Sequence, residues 1–117
     1  MHPGADAEEA AARALVISGL TLLDRNVRVG RLEIDLLMRD GPVIVVVEVR
    51  ARGPGSFLRP LDSIDAPKRI RVRRAGAQLW SERFADDPTV ERMRFDVVGV
   101  THLPDGEVRI EHVKGAF

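Results

Sequence analysis

The chain has no cysteine among its 117 residues. Disulfide scaffolds, thiolate zinc sites, cysteine nucleophiles and iron–sulfur clusters are thereby excluded, and any metal must rest on oxygen or nitrogen ligands. No apolar run approaches the ~20 residues that span a bilayer. The N-terminus, Met1 to Ala12, is small and acidic, not a basic head on an apolar core. The expectation is a cytoplasmic protein with no membrane partner. Neither charge is in surplus: 18 Lys and Arg face 18 Asp and Glu, so the chain is no bulk polycation. It also lacks a glycine-rich phosphate loop, a Ser/His/Asp constellation and internal repeats. His102 and His112 sit on separate candidate strands without ligand spacing and read as structural or surface residues; His2 reads as a disordered end.

What is present, 44% apolar and 31% charged residues, is the balance of a globular protein. The length is that of one domain, 1–117. Neutrality conceals a segregation. Residues 25–74 hold twelve basic and six acidic side chains, a net of +6, and the two flanks together carry −6. The densest stretch is Lys68 to Arg74, five basic residues without an acid. Arg69, Arg71, Arg73 and Arg74 have the type and density for nucleic-acid phosphate contacts, although a charge run can also merely solvate a helix. Trp80 on the same helix reads as core in preference to a base-stacking platform.

Local signals divide the chain. Ala5 to Ser18 is alanine-rich, with Asp6 and Glu8 in its first turn and Gly19 beyond, the pattern of a helix stopped by glycine. Val27 to Met38 partly alternates and Val43 to Val49 is nearly all β-branched, so both read as strands, joined at Asp40-Gly41. Ala51 to Asp62 is a Pro/Gly-rich loop. Asp65 caps a second helix opening at Ala66-Pro67 and running to about Phe84, with Val72, Ala75, Gly76 and Leu79 as its buried stripe. Arg94 to Thr101 and Val108 to Val113 are further strands, joined across Pro104-Asp105-Gly106. The order predicts an α/β fold, a central mixed sheet flanked by helices.

The register of the first hairpin gathers acids. With Asp40-Gly41 as the loop, Glu33 faces Glu48, and alternation puts Glu33, Asp35, Glu48 and Arg50 on one face with Leu37, Ile44 and Val46. Opposed carboxylates repel. Either the face is solvated, or it holds a cation. The apolar neighbours favour partial cover, under which carboxylates need a partner, and a hard ion such as Mg²⁺ suits a few carboxylate oxygens.

Leu32 to Arg52, LEIDLLMRDGPVIVVVEVRAR, resembles the GEIDLI-x-RDG-x-x-x-VFVEVK-x-R signature of the YraN-like family, small bacterial proteins considered distant relatives of archaeal Holliday-junction resolvases. Nearly the whole chain joins the likeness: Glu8, Ala11, Leu15 and Gly19 resemble the family's first helix, Arg25-Asn26-x-Arg28 the approach to its strand, Lys68, Val72 and Ala75 its second helix, and Arg94 to Val98 with Glu111 to Phe117 its closing strands and tail. The resemblance implies a restriction-endonuclease-like core with a Mg²⁺- or Mn²⁺-dependent nuclease centre of the PD-(D/E)xK kind, acting on branched or junction DNA. Under it, Asp35 is the principal metal ligand and Glu48 the second, with the Val49 carbonyl as a further donor. Glu8 would join around the metal, and Glu33 would be a supporting acid.

Arg50 stands where the family carries its catalytic lysine. Leu32 and Ala7 also replace glycines, before Glu33 and Glu8. An arginine keeps its proton and grips phosphate, whereas a desolvated lysine can help activate water. Lys68 offers a substitute: at 100° per residue it lies within about 40° of the buried stripe of its helix, so its amine is aimed toward the carboxylate face if that helix covers it. Two readings follow, an endonuclease, or a DNA-binding module of the same fold that has lost chemistry. A structural partner for an acidic protein is a third. Cutting a two-fold-symmetric junction would take two sites, which suits a homodimer.

Overall fold

The computed structural model describes residues 5–53 and 64–117. Helix α1 (Ala5–Ile17) leads into strands β1 (Thr21–Val29), β2 (Leu32–Asp40) and β3 (Val43–Arg52). Helix α2 (Ala66–Leu79) follows, extended by a π-helical turn over Trp80–Phe84, and then β4 (Arg92–His102) and β5 (Val108–Val113). The five strands form one mixed sheet in the order β1-β2-β3-β4-β5. β3 and β4 are parallel and the other pairs antiparallel. The fold is therefore α/β, a five-stranded mixed sheet with two helices.

Each helix end follows from its local chemistry. Gly19, at φ 112°, closes α1: its N–H donates to the Val16 carbonyl and that of Leu20 to the Leu15 carbonyl, both at 3.0 Å. This is the glycine-terminated arrangement that satisfies the last carbonyls of a helix. Asp65 caps α2 by accepting from the Lys68 N–H at 2.8 Å, with Pro67 in the first turn.

The helices cover opposite faces of the sheet. α1 lays Ala7, Ala11, Ala12 and Leu15 against Leu36, Met38, Val43, Val45, Val47, Val98 and Val100. α2 lays Val72, Ala75 and Leu79 against Ile34, Leu37, Ile44 and Val46. β3 is buried on both faces, which explains its unbroken β-branched run. Gly76 permits the approach of α2: a Cβ there would come within 2.6 Å of the Phe95 ring.

The structure corrects two sequence expectations. Val27 to Met38 is not one strand but parts of two, parted at Gly30-Arg31, where Gly30 takes φ 60°. A strand beginning at Thr21 was missed because its outer face is mostly polar and exposed. The second correction is the hairpin register. Asp40 pairs with Val43, so the turn is Gly41-Pro42; Gly41 has φ 58° and Pro42 cannot donate to a ladder. Pairing is displaced by two residues, which keeps Leu37, Ile44 and Val46 on their expected face and brings Asp35, not Glu33, level with Glu48; Ile34 departs from alternation and joins that face. The loop read over Ala51 to Asp62 has its first two residues in β3, and 54–63 lie outside the described residues, as does His2.

Candidate active site

The fold draws Asp35, Glu48, Arg50 and Lys68 together. Leu36 pairs with Val47 at the limit of the β2–β3 ladder, and Asp35 and Glu48 are the next pair of side chains. Glu48, only 3% exposed, ends the apolar run of β3. Asp35 Oδ2 accepts from the Val49 N–H at 2.8 Å, which fixes it across the hairpin. The two carboxyls are close enough for the charge of Asp35 to act on Glu48.

Burial is the main reason that both carboxyls resist ionisation. Glu48 is pushed up to about 8 by desolvation and then by the charge of Asp35, while Lys68 and Arg50 pull it down. Asp35 is also raised, first by burial and in part by Glu8; the Val49 N–H, Lys68 and Arg50 oppose this. Lys68 thus acts on the pair from α2, the element over that face, and Arg50 acts on it from β3. Among the described residues, Glu48 Oε1 and Arg50 Nε are buried without hydrogen-bond partners. An acid of this kind, with an unbonded buried oxygen beside a second carboxylate, is under-satisfied by its own protein.

Glu8 and Glu33 stand at the rim. Asn26 Nδ2 donates to Glu8 Oε2 at 3.0 Å and to Glu33 Oε1 at 2.9 Å, tying α1 to the β1–β2 hairpin. Among the described residues no three His, Asp or Glu side chains approach closely enough to hold a metal together. The donor set fits a hard divalent ion as two neighbouring carboxylates, one with an unbonded oxygen, which leaves most coordination positions for water and phosphate. The expected fourfold acid cluster is accordingly a pair with two outlying acids.

The four arginines of α2 divide. Arg69 Nε donates to the Ile64 carbonyl at 2.9 Å, and Arg73 lies over the Phe95 ring, 5.6 Å from its centroid. Arg71 and Arg74 instead line a cleft with Arg31. Trp80 is half-buried beside the core and Phe84. His102 is exposed, and His112 Nε2 lies 2.7 Å from Asp96 Oδ2.

Asn26 was missed in the sequence. Among the described residues it alone, apart from glycines, has positive φ, at 50°. Asparagine tolerates that conformation because its short side chain bonds locally. Its position coincides with a break in alternation: Leu36 points to the α1 face and Ile34 to the α2 face, although both are even-numbered positions of β2. Asn26 and Asp35 are the residues skipped between the Arg25–Leu36 and Val27–Ile34 pairs. The hairpin thus folds over toward α2 beside the acidic pair. The signal available was an Asn between two arginines at the edge of a strand.

These features define an α/β protein with a buried Glu48 beside a half-buried Asp35, both under the charge of Lys68 and Arg50, in a mixed sheet. The chain belongs to the uncharacterised protein family UPF0102, whose sequence profile matches residues 7–100; this is the YraN-like family of the sequence resemblance. A UPF0102 protein of Sorangium cellulosum is 57% identical over 114 residues, 97% of this chain and 79% of its own. One from Frankia alni is 40% identical over 110 residues, 94% of this chain and 89% of its own. No helix among the described residues is long and apolar enough to cross a membrane.

Proposed function

We propose that this protein is a metal-dependent endonuclease acting on structured DNA, with its strands and helices forming a restriction-endonuclease-like core. The carrying observation is Glu48 Oε1, which among the described residues is buried without a hydrogen-bond partner, in a carboxyl that feels the charges of Asp35, Lys68 and Arg50. When bound, Mg²⁺ or Mn²⁺ would supply Lewis acidity, activating water and neutralising charge on a phosphodiester. Asp35 and Glu48 would hold it, with the Val49 carbonyl as a further donor. The Val49 N–H orients Asp35 so that one oxygen faces the site. Arg50, a permanent cation, orients and neutralises the scissile phosphate. Lys68, a second cation acting on the pair, orients the attacking water and stabilises the charge that develops on the phosphate. A two-fold-symmetric junction would be cut by a homodimer.

Labelled flap, junction and duplex DNA, incubated with Mg²⁺ or Mn²⁺, test this reading. Asp35→Asn and Glu48→Gln should abolish cleavage, and Lys68→Ala should slow it about a hundredfold. Unchanged cleavage by Lys68→Ala overturns its role, and unchanged cleavage by Asp35→Asn overturns the site. The arginine at the lysine position favours a second reading, a DNA-binding module without chemistry. A large gain on Arg50→Lys marks a weakened enzyme. Absence of cleavage by both forms, with DNA still bound, marks the binder.

A further inference from the structure

The strongest charged feature outside the carboxylate pair is a cleft of about 220 Å³ between α2 and the tip of the β1–β2 hairpin. Val29, Leu32 and Ala75 line its apolar part, and Arg31, Arg71, Arg74 and Gln78 supply its polar groups. All four polar side chains belong to exposed residues. Among the described residues none of the three guanidiniums carries an ion pair or side-chain hydrogen bond. This contrasts with their neighbours. Arg69 is bonded to Ile64, Arg73 is stacked on Phe95, and Arg25 and Arg83 pair with Glu9 and Asp24.

Three like charges around one cleft repel one another, so the free protein bears a cost that an anion would relieve. The cleft exists because the hairpin folds toward α2 where Asn26 and Asp35 interrupt the alternation, which carries Arg31 across to the helix. It also lies in line with the carboxylate pair. Lys68, Arg71, Ala75 and Gln78 recur at helical spacing along one side of α2. At about 1.5 Å per residue, Arg74 stands roughly 9 Å along the axis from Lys68. That is the advance of two to three nucleotides at about 3.4 Å each in one strand of a duplex. Planar guanidinium forks match phosphodiester oxygens, while Gln78, whose Nε2 donates to Glu82 Oε1 at 3.0 Å, keeps a second amide hydrogen to offer.

We propose that the Arg31–Arg71–Arg74–Gln78 cleft is a phosphate clamp for DNA, gripping the backbone two to three nucleotides from the bond held at Asp35 and Glu48. The clamp rests on the nuclease or DNA-binding reading above and extends it. It assigns Arg31, at the far end of the sheet's edge hairpin, to the DNA interface, and it separates Arg71 and Arg74 from Arg69 and Arg73, whose partners are within the protein. Phosphate contacts position without reading bases, so the clamp sets register and not sequence preference.

The test is fluorescence anisotropy of a labelled duplex of about 20 bp, in Mg²⁺, between about 50 and 200 mM salt. In the triple variant Arg31→Gln, Arg71→Gln, Arg74→Gln, the slope of log affinity against log salt should fall by about 0.9 per arginine. The salt-driven loss of affinity over that range then shrinks by a factor of about 40. Lysine at the same three positions should restore the slope, which a merely structural effect would not do. Mn²⁺ binding followed by calorimetry should be unchanged in the glutamine variant, since the carboxylate pair is untouched. If the unmodified protein binds the duplex and the triple variant keeps its slope, the clamp is overturned and the nuclease reading stands. If the unmodified protein binds no DNA at any salt, both fall. Tighter capture of polyglutamate than of DNA assigns the cleft to an acidic protein and overturns the clamp.

Discussion

Asp96 and the Asp35–Glu48 pair lie on opposite faces of this sheet, and they are treated in opposite ways. Asp96, fully buried on β4, is saturated with donors. Arg94 grips it side-on through Nε at 2.9 Å and Nη2 at 3.1 Å, the Gly115 N–H donates at 3.0 Å, and His112 Nε2 lies at 2.7 Å. Arg94 also reaches Asp40 at 3.1 Å. Burial acts to raise the Asp96 carboxyl, but the bonds from His112, Arg94 and Gly115 outweigh it and hold the group below the usual range. Asp35 and Glu48 receive one backbone donor between them, keep an oxygen unbonded and are raised. Depth is therefore not what distinguishes a satisfied acid from an under-satisfied one. The donors supplied by the fold are, and where they are withheld a ligand has something to complete.

Removal of one partner separates the two sets most sharply. Asp96→Ala leaves the Arg94 guanidinium and His112 without their shared acceptor and releases the tail at Gly115, so it should cost about 3–5 kcal/mol in urea unfolding. Asp35→Asn should cost far less, because it removes a raised acid while retaining an acceptor for Val49. A loss at Asp35 equal to that at Asp96 would break the comparison.

Their pH responses should carry opposite signs. Asp96, depressed when folded, contributes stability that is present above the ordinary carboxylate pKa of 3.8 and is lost as pH falls through its folded value. Glu48, raised from 4.5 to about 8, favours the folded state while protonated. Its contribution is fully present below 4.5 and is lost as pH climbs toward 8. At about 1.4 kcal/mol per unit, the difference is on the order of a few kcal/mol. In metal-free protein Glu48→Gln should therefore match the parent near pH 5 and exceed its melting temperature near pH 9. Parallel melting curves across that range would contradict the raised acid.

What could be read in advance was what is encoded locally. The helix cap at Gly19, the Asp65 N-cap, the Val72–Leu79 stripe and the span of β5 depend on a few adjacent residues, and each appears in the fold. β1 escaped because six of its nine residues are exposed and its polar positions mask alternation. The hairpin turn was misplaced by one residue because Asp40-Gly41 and Gly41-Pro42 both satisfy turn chemistry. The face assignment survived for Leu37, Ile44 and Val46, since the register error was even, but failed at Ile34, where alternation breaks. Neither the alignment of Asp35 with Glu48 nor the saturation of Asp96 was legible. The first depends on that register, and the second assembles β2, β4, β5 and the tail, residues 40 to 115, around one carboxylate.

Asn26 offers the finest division between the two sets, since its single amide feeds two acids at the rim of the under-satisfied one. Asn26→Gly keeps the positive φ without strain and deletes only the amide, whereas Asn26→Ala adds a left-handed penalty of about 1 kcal/mol. The glycine variant should lose about 1 kcal/mol, as expected for partly exposed hydrogen bonds to charged groups. Its more telling effect is electrostatic. Glu8 raises Asp35, and a Glu8 freed from Asn26 can retreat into water, so the Asp35 carboxyl should titrate lower in the variant when followed by carboxyl NMR. Mn²⁺ affinity should change with it, while the Asp96 resonance stays fixed. An Asp35 titration identical to the parent's would show that the Asn26 bridge fastens α1 to the hairpin and does nothing for the acids beside it.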